Sequence, residues 1–101
     1  MERLFSEGTR WSDPAVLLFT LPKEDPSEPA EVAFLVSRKL KRAVLRNRLR
    51  RRMREIYRRW VGVGDKPYYL AWVAREPATQ LDFWSLREKM LRLYRKFSSQ
   101  R

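Results

Sequence analysis

The chain has 101 residues, 44% of them hydrophobic and 13% aromatic; that suffices for one small packed domain and is too apolar for a solvated coil. Its 23 basic and 12 acidic residues leave a formal charge of +11, which names polyanions as partners, nucleic acid ahead of an anionic membrane. Neither cysteine nor histidine is present, which removes disulfides, thiolate nucleophiles, zinc–thiolate sites and any imidazole base or ligand.

In chain order, residues 1–8 read as a turn or short helix ending near Gly8, and Ser12-Asp13-Pro14 punctuates. Residues 16–21, VLLFTL, lack polar alternation and predict a strand covered on both faces. The proline- and acid-rich segment 22–29 is a loop. Residues 31–37, EVAFLVS, predict a second strand; a basic helix follows to about Trp60, and VGVGDKP, residues 61–67, closes it as a turn. YYLAWVA, residues 68–74, is the next strand, broken by Arg75-Glu76-Pro77. Asp82 can N-cap a last helix whose apolar positions Phe83, Leu86, Met90, Leu93 and Phe97 step by three and four; the tail 98–101 is expected to fray. The order β–β–α–β–α over residues 1–101 predicts a single domain of α+β two-layer sandwich type. No run reaches the length of a membrane helix, and residues 1–10 lack the apolar core of a signal peptide, so the expected setting is cytoplasmic.

The segment AVLRNRLRRRMREIYRR, residues 43–59, holds eight arginines and one acid, Glu55. At 100° per residue Leu45, Leu49, Met53, Ile56 and Trp60 fall within about 80°, a core-facing stripe. Asn47, Arg51, Arg54 and Arg58 lie opposite, with Arg46 and Arg50 flanking one side and Arg48, Arg52 and Arg59 the other. Four like-charge i,i+4 pairs (46/50, 48/52, 50/54 and 54/58) disfavour the helix by about 1–2 kcal/mol in sum. A purely solvated face mixes signs; this one fits a polyanion. Arginine suits phosphate in particular, because its planar fork pairs bidentately. Trp60, Trp72, Phe83 and Trp84 are read as core or rim, and Lys89, Arg92, Arg95 and Lys96 as solvated.

Val36-Ser37-Arg38-Lys39 followed by Ala43-Val44, Arg46-Asn47-Arg48, Arg50-Arg51, Arg54 and Glu55 closely resembles the RNR motif of the bacterial ribonuclease P protein subunit. Phe5 and Gly8 resemble that family's F-x-x-G, Phe19 matches a position of its next strand that is usually aromatic or apolar, and residues 74–90 resemble its A-R-x-x-A segment and final helix. Lys41 stands where the family turn often has glycine.

The resemblance implies an accessory to a catalytic RNA that removes the 5′ leader of precursor tRNA in tRNA maturation. It implies no catalytic residue and no metal ligand on the protein, no cofactor bound by the protein alone, Mg2+ held in the RNA subunit, and no obligatory protein partner. It carries contact with the catalytic RNA to Arg46, Asn47, Arg48, Arg50, Arg51 and Arg54; Arg38 and Lys39 of the lead-in join the candidate set, and Arg58 joins it from its wheel position alone. Asn47, Arg51, Arg54 and Arg58 are also outward on the helical wheel. A second implied surface is a cleft between the first helix and the sheet for the single-stranded leader. Phe5 and Phe19 match its positions, and Phe34 and Tyr69 are further candidates, since aromatic faces stack bases regardless of sequence. The implied fold has a mixed central sheet with packed helices and a left-handed β–α–β crossover, against the right-handed rule for such units. A structural ribosomal protein or general RNA chaperone is the alternative of another class; it shares the charge but not the spaced motif.

Overall fold

A computed structural model describes residues 2–62 and 66–99. The short helix α1 (Glu2–Glu7) leads through Gly8 into β1 (Thr9–Ser12) and β2 (Val16–Pro22). Then come β3 (Glu31–Val36), α2 (Ala43–Ile56), β4 (Tyr68–Ala74) and α3 (Phe83–Ser99). The strands form one mixed sheet in the order β1-β2-β4-β3. β2 is antiparallel to both its neighbours, whereas β3 and β4 run parallel, joined by α2 as a crossover.

Alternation along the strands decides which face each side chain takes. Trp11, Leu18, Trp72 and Phe34 form one rung across the sheet, and Val16, Ala74 and Val36 another. That face lies under α2 and α3. Leu49, Met53 and Ile56 reach down from α2, and Leu86, Met90, Leu93 and Phe97 from α3, into a single buried cluster with Trp72 at its centre. Each such side chain contributes about 1.5–3 kcal/mol by leaving water. Thr20 is buried on the same side, where its hydroxyl accepts the Trp11 indole N–H at 3.2 Å.

The opposite parity (Leu17, Phe19 and Leu21; Tyr69, Ala71 and Val73) forms the other face, which α1 covers at one end. Leu4 and Ala71 are buried there, outside the main core. The expectation that residues 16–21 are covered on both faces therefore holds only in part. The outer parity of β2 is half-buried, because six residues of helix cannot roof a four-stranded sheet.

Three local features differ from expectation. β1 forms at Thr9–Ser12, a stretch given no element beyond the break at Ser12-Asp13-Pro14. Its four residues pair with β2, and Asp13 fixes the connection by accepting the Ala15 amide (2.9 Å) and the Lys89 ammonium (3.3 Å) of α3. A tight three-residue-per-turn helix, Glu76–Gln80, replaces the plain break after β4 and buries Ala78. α2 stops as an α-helix at Ile56 and continues as a wider turn, Tyr57–Val61. There the Gly62 amide donates to the Tyr57 carbonyl, five residues back. That widening buries Val61 beside Ile56 and leaves Trp60 half-buried at the rim. Burial also pushes the Tyr57 phenol up to about 12. In the expected closing turn, residues 63–65 lie outside the described residues, as do Gln100 and Arg101 of the expected frayed tail.

Asp82 caps α3 as its position predicts: its carboxylate accepts the Ser85 amide at 2.7 Å. That bond holds the carboxyl below its ordinary value. Among the described residues no helix is long and apolar enough to cross a membrane.

Candidate nucleic-acid interface

The arginine helix starts from a turn that its own side chain holds together. After β3, the Ser37 amide donates to the Ala74 carbonyl (2.8 Å) and the Leu40 amide to the Ser37 carbonyl (3.1 Å), folding residues 37–42 back over the strand end. Arg46 completes this turn: one guanidinium nitrogen donates to the carbonyls of Ser37 (2.9 Å) and Leu40 (2.8 Å). The helix has no side-chain N-cap and no acid in its first turn, so these charged hydrogen bonds do the anchoring. Arg46 is half-buried and committed to backbone. The wheel set Arg46 at the flank of the apolar stripe, and from there its side chain turns back to these carbonyls.

Beyond Arg46 the surface is cationic and mostly uncompensated. Asn47, Arg48, Arg51, Arg54 and Arg58 are exposed, as are Arg38 and Lys39 in the preceding turn. Arg50 is half-buried and donates to the Asn47 side-chain oxygen at 3.4 Å. Arg54 sits 5.7 Å over the Phe34 ring, on the β3 side, and Arg52 reaches the Leu81 carbonyl (3.4 Å) on the α3 side. Glu55 pairs with Arg58 (2.7 Å) and Arg59 (2.5 Å). Among the described residues it supplies the ion pairs of this helix, so Arg48, Arg51 and Arg54 have no acidic partner.

A second surface lies on the opposite side of the sheet. Phe5 of α1, 40% exposed, meets Phe19 of β2 edge-to-face with centroids 4.8 Å apart. In register with Phe19 stand Arg10 on β1 and the alanines Ala71 and Ala33 on β4 and β3. Their small side chains keep the floor low beside the raised aromatics. One end of the groove is lined by Arg3, Leu4, Leu21, Glu31 and Tyr69. There the Lys23 ammonium, nearly buried, bonds Glu31 at 2.5 Å and lies 4.9 Å over the Tyr69 ring. The Glu31 carboxylate raises Lys23 above its ordinary value, with burial opposing it. At the other end Leu17 and Val73 lead to Ser37, Lys39 and Arg75, beside the start of α2.

The four aromatics read as one cleft therefore divide. Phe5, Phe19 and Tyr69 share the open face. Phe34 does not: it lies in the rung of Trp72, packs edge-on against Tyr57 at 5.8 Å and faces α2. Its assignment to the cleft is corrected by strand alternation. Arg3, Arg10, Lys23 and Arg75 are cleft-side cations that the sequence reading missed. Parity with Phe19 would have found Arg10 once residues 9–12 were recognised as a strand.

Comparison with known proteins bears on what these surfaces serve. The family model described as ribonuclease P matches residues 1–98. The ribonuclease P protein component of Symbiobacterium thermophilum is 34% identical over 94 residues, covering 92% of this chain and 80% of that one. That of Thermotoga maritima is 32% identical over 98 residues, covering 92% and 81%. The solved ribonuclease P protein from Thermotoga maritima superposes with a TM-score of 0.79 at 29% identity, over 92% of this chain and 86% of that one. The Staphylococcus aureus ribonuclease P protein shares the fold at a TM-score of 0.81, over 93% and 84%, at 20% identity. With the motif on a half-free cationic helix and the mixed sheet of those structures, the chain belongs to the family of bacterial ribonuclease P protein components.

Proposed function

We propose that this subunit binds the catalytic RNA through the outer face of α2 and the single-stranded 5′ leader of precursor tRNA through the cleft under α1. The observation that carries this reading is the separation of the two surfaces: an arginine helix whose one acid, Glu55, pairs with Arg58 and Arg59 and leaves Arg48, Arg51 and Arg54 unpaired on one side of the sheet, an aromatic groove on the other. Phosphates need charge without sequence preference, which Arg48, Arg51 and Arg54 offer; bases of an unstructured strand need flat apolar faces, which Phe19 and Phe5 offer. Hydrolysis then belongs to the RNA subunit and its Mg2+. This chain's own part is to hold the two RNA chains in a fixed relation and screen their repulsion. Reconstitution tests the whole: adding the protein to a bacterial ribonuclease P RNA at low magnesium should rescue precursor cleavage, and no rescue would refute it.

Six neutralised phosphates give a slope of log K against log salt of roughly −4 to −5. Arg51→Ala should weaken RNA affinity several-fold and make the slope shallower by about one, at an unchanged melting temperature. A slope near zero in the parent protein would remove phosphate pairing from α2. Phe19→Ala should weaken leader-bearing precursor about tenfold, the loss of one stacked base at about 1.4 kcal/mol, and spare mature tRNA. Equal losses on both substrates would make Phe19 a packing residue only.

A further inference from the structure

The C-terminal end of α2 and the first turn of α3 bring together aromatic side chains that neither surface above uses. Trp60 and Phe83 are partly buried against the core, but Trp84 is 57% exposed and takes no part in it. Its indole is held edge-on by Phe83 (centroids 5.2 Å) and Trp60 (6.0 Å). Arg87 lies over both tryptophans, 5.0 Å from the Trp60 centroid and 5.1 Å from that of Trp84. Its Nη2 donates to Glu88 at 3.0 Å, while its Nε is buried with no hydrogen-bond partner among the described residues. The indole is thus held by Phe83 and Trp60, flanked by Arg87 and open to solvent, outside the buried core.

The position of this cluster indicates its occupant. A shallow depression lined by Arg48, Arg51, Arg52, Glu55 and Phe83 runs from the outer face of α2 to the edge of the aromatic cluster, and Glu55 there is already paired with Arg58 and Arg59. Trp84 follows Phe83 directly and packs edge-on against it, so the indole borders the end of this depression. We propose that Trp84 is a stacking platform for an unpaired base of the catalytic RNA, held beside Phe83, Trp60 and Arg87. It extends the RNA face of α2 and is separate from the leader cleft. The proposal rests on the reading that α2 binds this RNA. Tryptophan with arginine also suits a protein partner, but continuity with Arg48 and Arg51, which have no acidic partner among the described residues, favours RNA.

The test titrates a bacterial ribonuclease P RNA into wild type, Trp84→Ala, Trp84→Phe and Arg51→Ala across a salt series. Trp84→Ala should weaken binding about tenfold without changing the salt slope, because no phosphate contact is lost. Trp84→Phe should recover most of the affinity, and tryptophan quenching on binding should be smaller in Trp84→Phe than in wild type. Unchanged affinity in Trp84→Ala overturns the platform and leaves the indole to a protein partner; a loss accompanied by a shallower slope overturns it as an electrostatic disturbance. Failure of the underlying reading looks different: wild type itself then binds without salt dependence, and Arg51→Ala changes nothing.

Discussion

Gly8→Ala is expected to lift α1 from the sheet and to weaken leader-bearing precursor tRNA at least tenfold while sparing affinity for the catalytic RNA. A Cβ at Gly8 would stand 2.4 Å from the Leu4 carbonyl oxygen and 2.6 Å from that of Thr20. Both are backbone atoms that cannot rotate away. One belongs to the helix and the other to β2, so the relief available is to separate the two. Overpacking of this kind destabilises by about 1–3 kcal/mol, of the order of 10 °C in melting temperature for a domain of this size. The groove depends on the same contact, since Phe5 is brought to Phe19 by the helix that Gly8 terminates. Thermal unfolding together with parallel titrations of leader-bearing and mature tRNA checks both halves. A variant with the parent's melting temperature and leader affinity would show that α1 is not what shapes the groove.

Arg46→Ala should be the most damaging single arginine replacement, through the fold rather than through a lost phosphate. Its two charged hydrogen bonds tie the Ser37 and Leu40 carbonyls to the first turn of α2, and hydrogen bonds to charged groups contribute about 1.5–3 kcal/mol each. A loss of about 2–3 kcal/mol in stability is expected, with the helix start frayed and RNA affinity falling because the remaining arginines are no longer held in array. Arg46→Lys keeps a charged nitrogen that can donate to both carbonyls, but on a flexible stem in place of a rigid planar group, so it should restore the melting temperature and the RNA affinity only in part. Parental stability with a slope shallower by one unit would return Arg46 to the phosphate-contacting set.

The contrast between Arg46 and Arg51 shows what could be read before the structure. A helical wheel places both off the apolar stripe, and it placed Leu49, Met53 and Ile56 inward correctly because a fourteen-residue amphipathic helix is a local property. It cannot see that residues 37–42 fold back to offer Arg46 two carbonyls; that is tertiary. Phe34 was misassigned for a related reason. Alternation in EVAFLV separates Val32, Phe34 and Val36 from Ala33 and Leu35, but only the pairing with Trp72 tells which set faces the helices. β1 escaped notice because Thr-Arg-Trp-Ser is too short to show a period and is extended by its partner strand, not by its own preference. The charge of α2, in contrast, was legible as chemistry, because like-charge pairs at i,i+4 spacing disfavour a helix and fit a polyanion partner better than a solvated face; the motif itself came by resemblance.

The wide turn at Tyr57–Val61 has a bearing on how this fold can vary. One extra residue inserted between Leu45 and Ile56 would rotate part of the inward stripe by about 100° against the rest and break the core. At the end of the helix the same surplus is absorbed by an i→i+5 closure, with the Gly62 amide on the Tyr57 carbonyl. Everything upstream keeps its phase. The junction therefore works as a slip joint, where length can change without disturbing either the buried stripe or the spacing of the arginines. Lineages gaining or losing a residue in this helix should do so here, and the side chains they reposition will be those at the Trp60 rim.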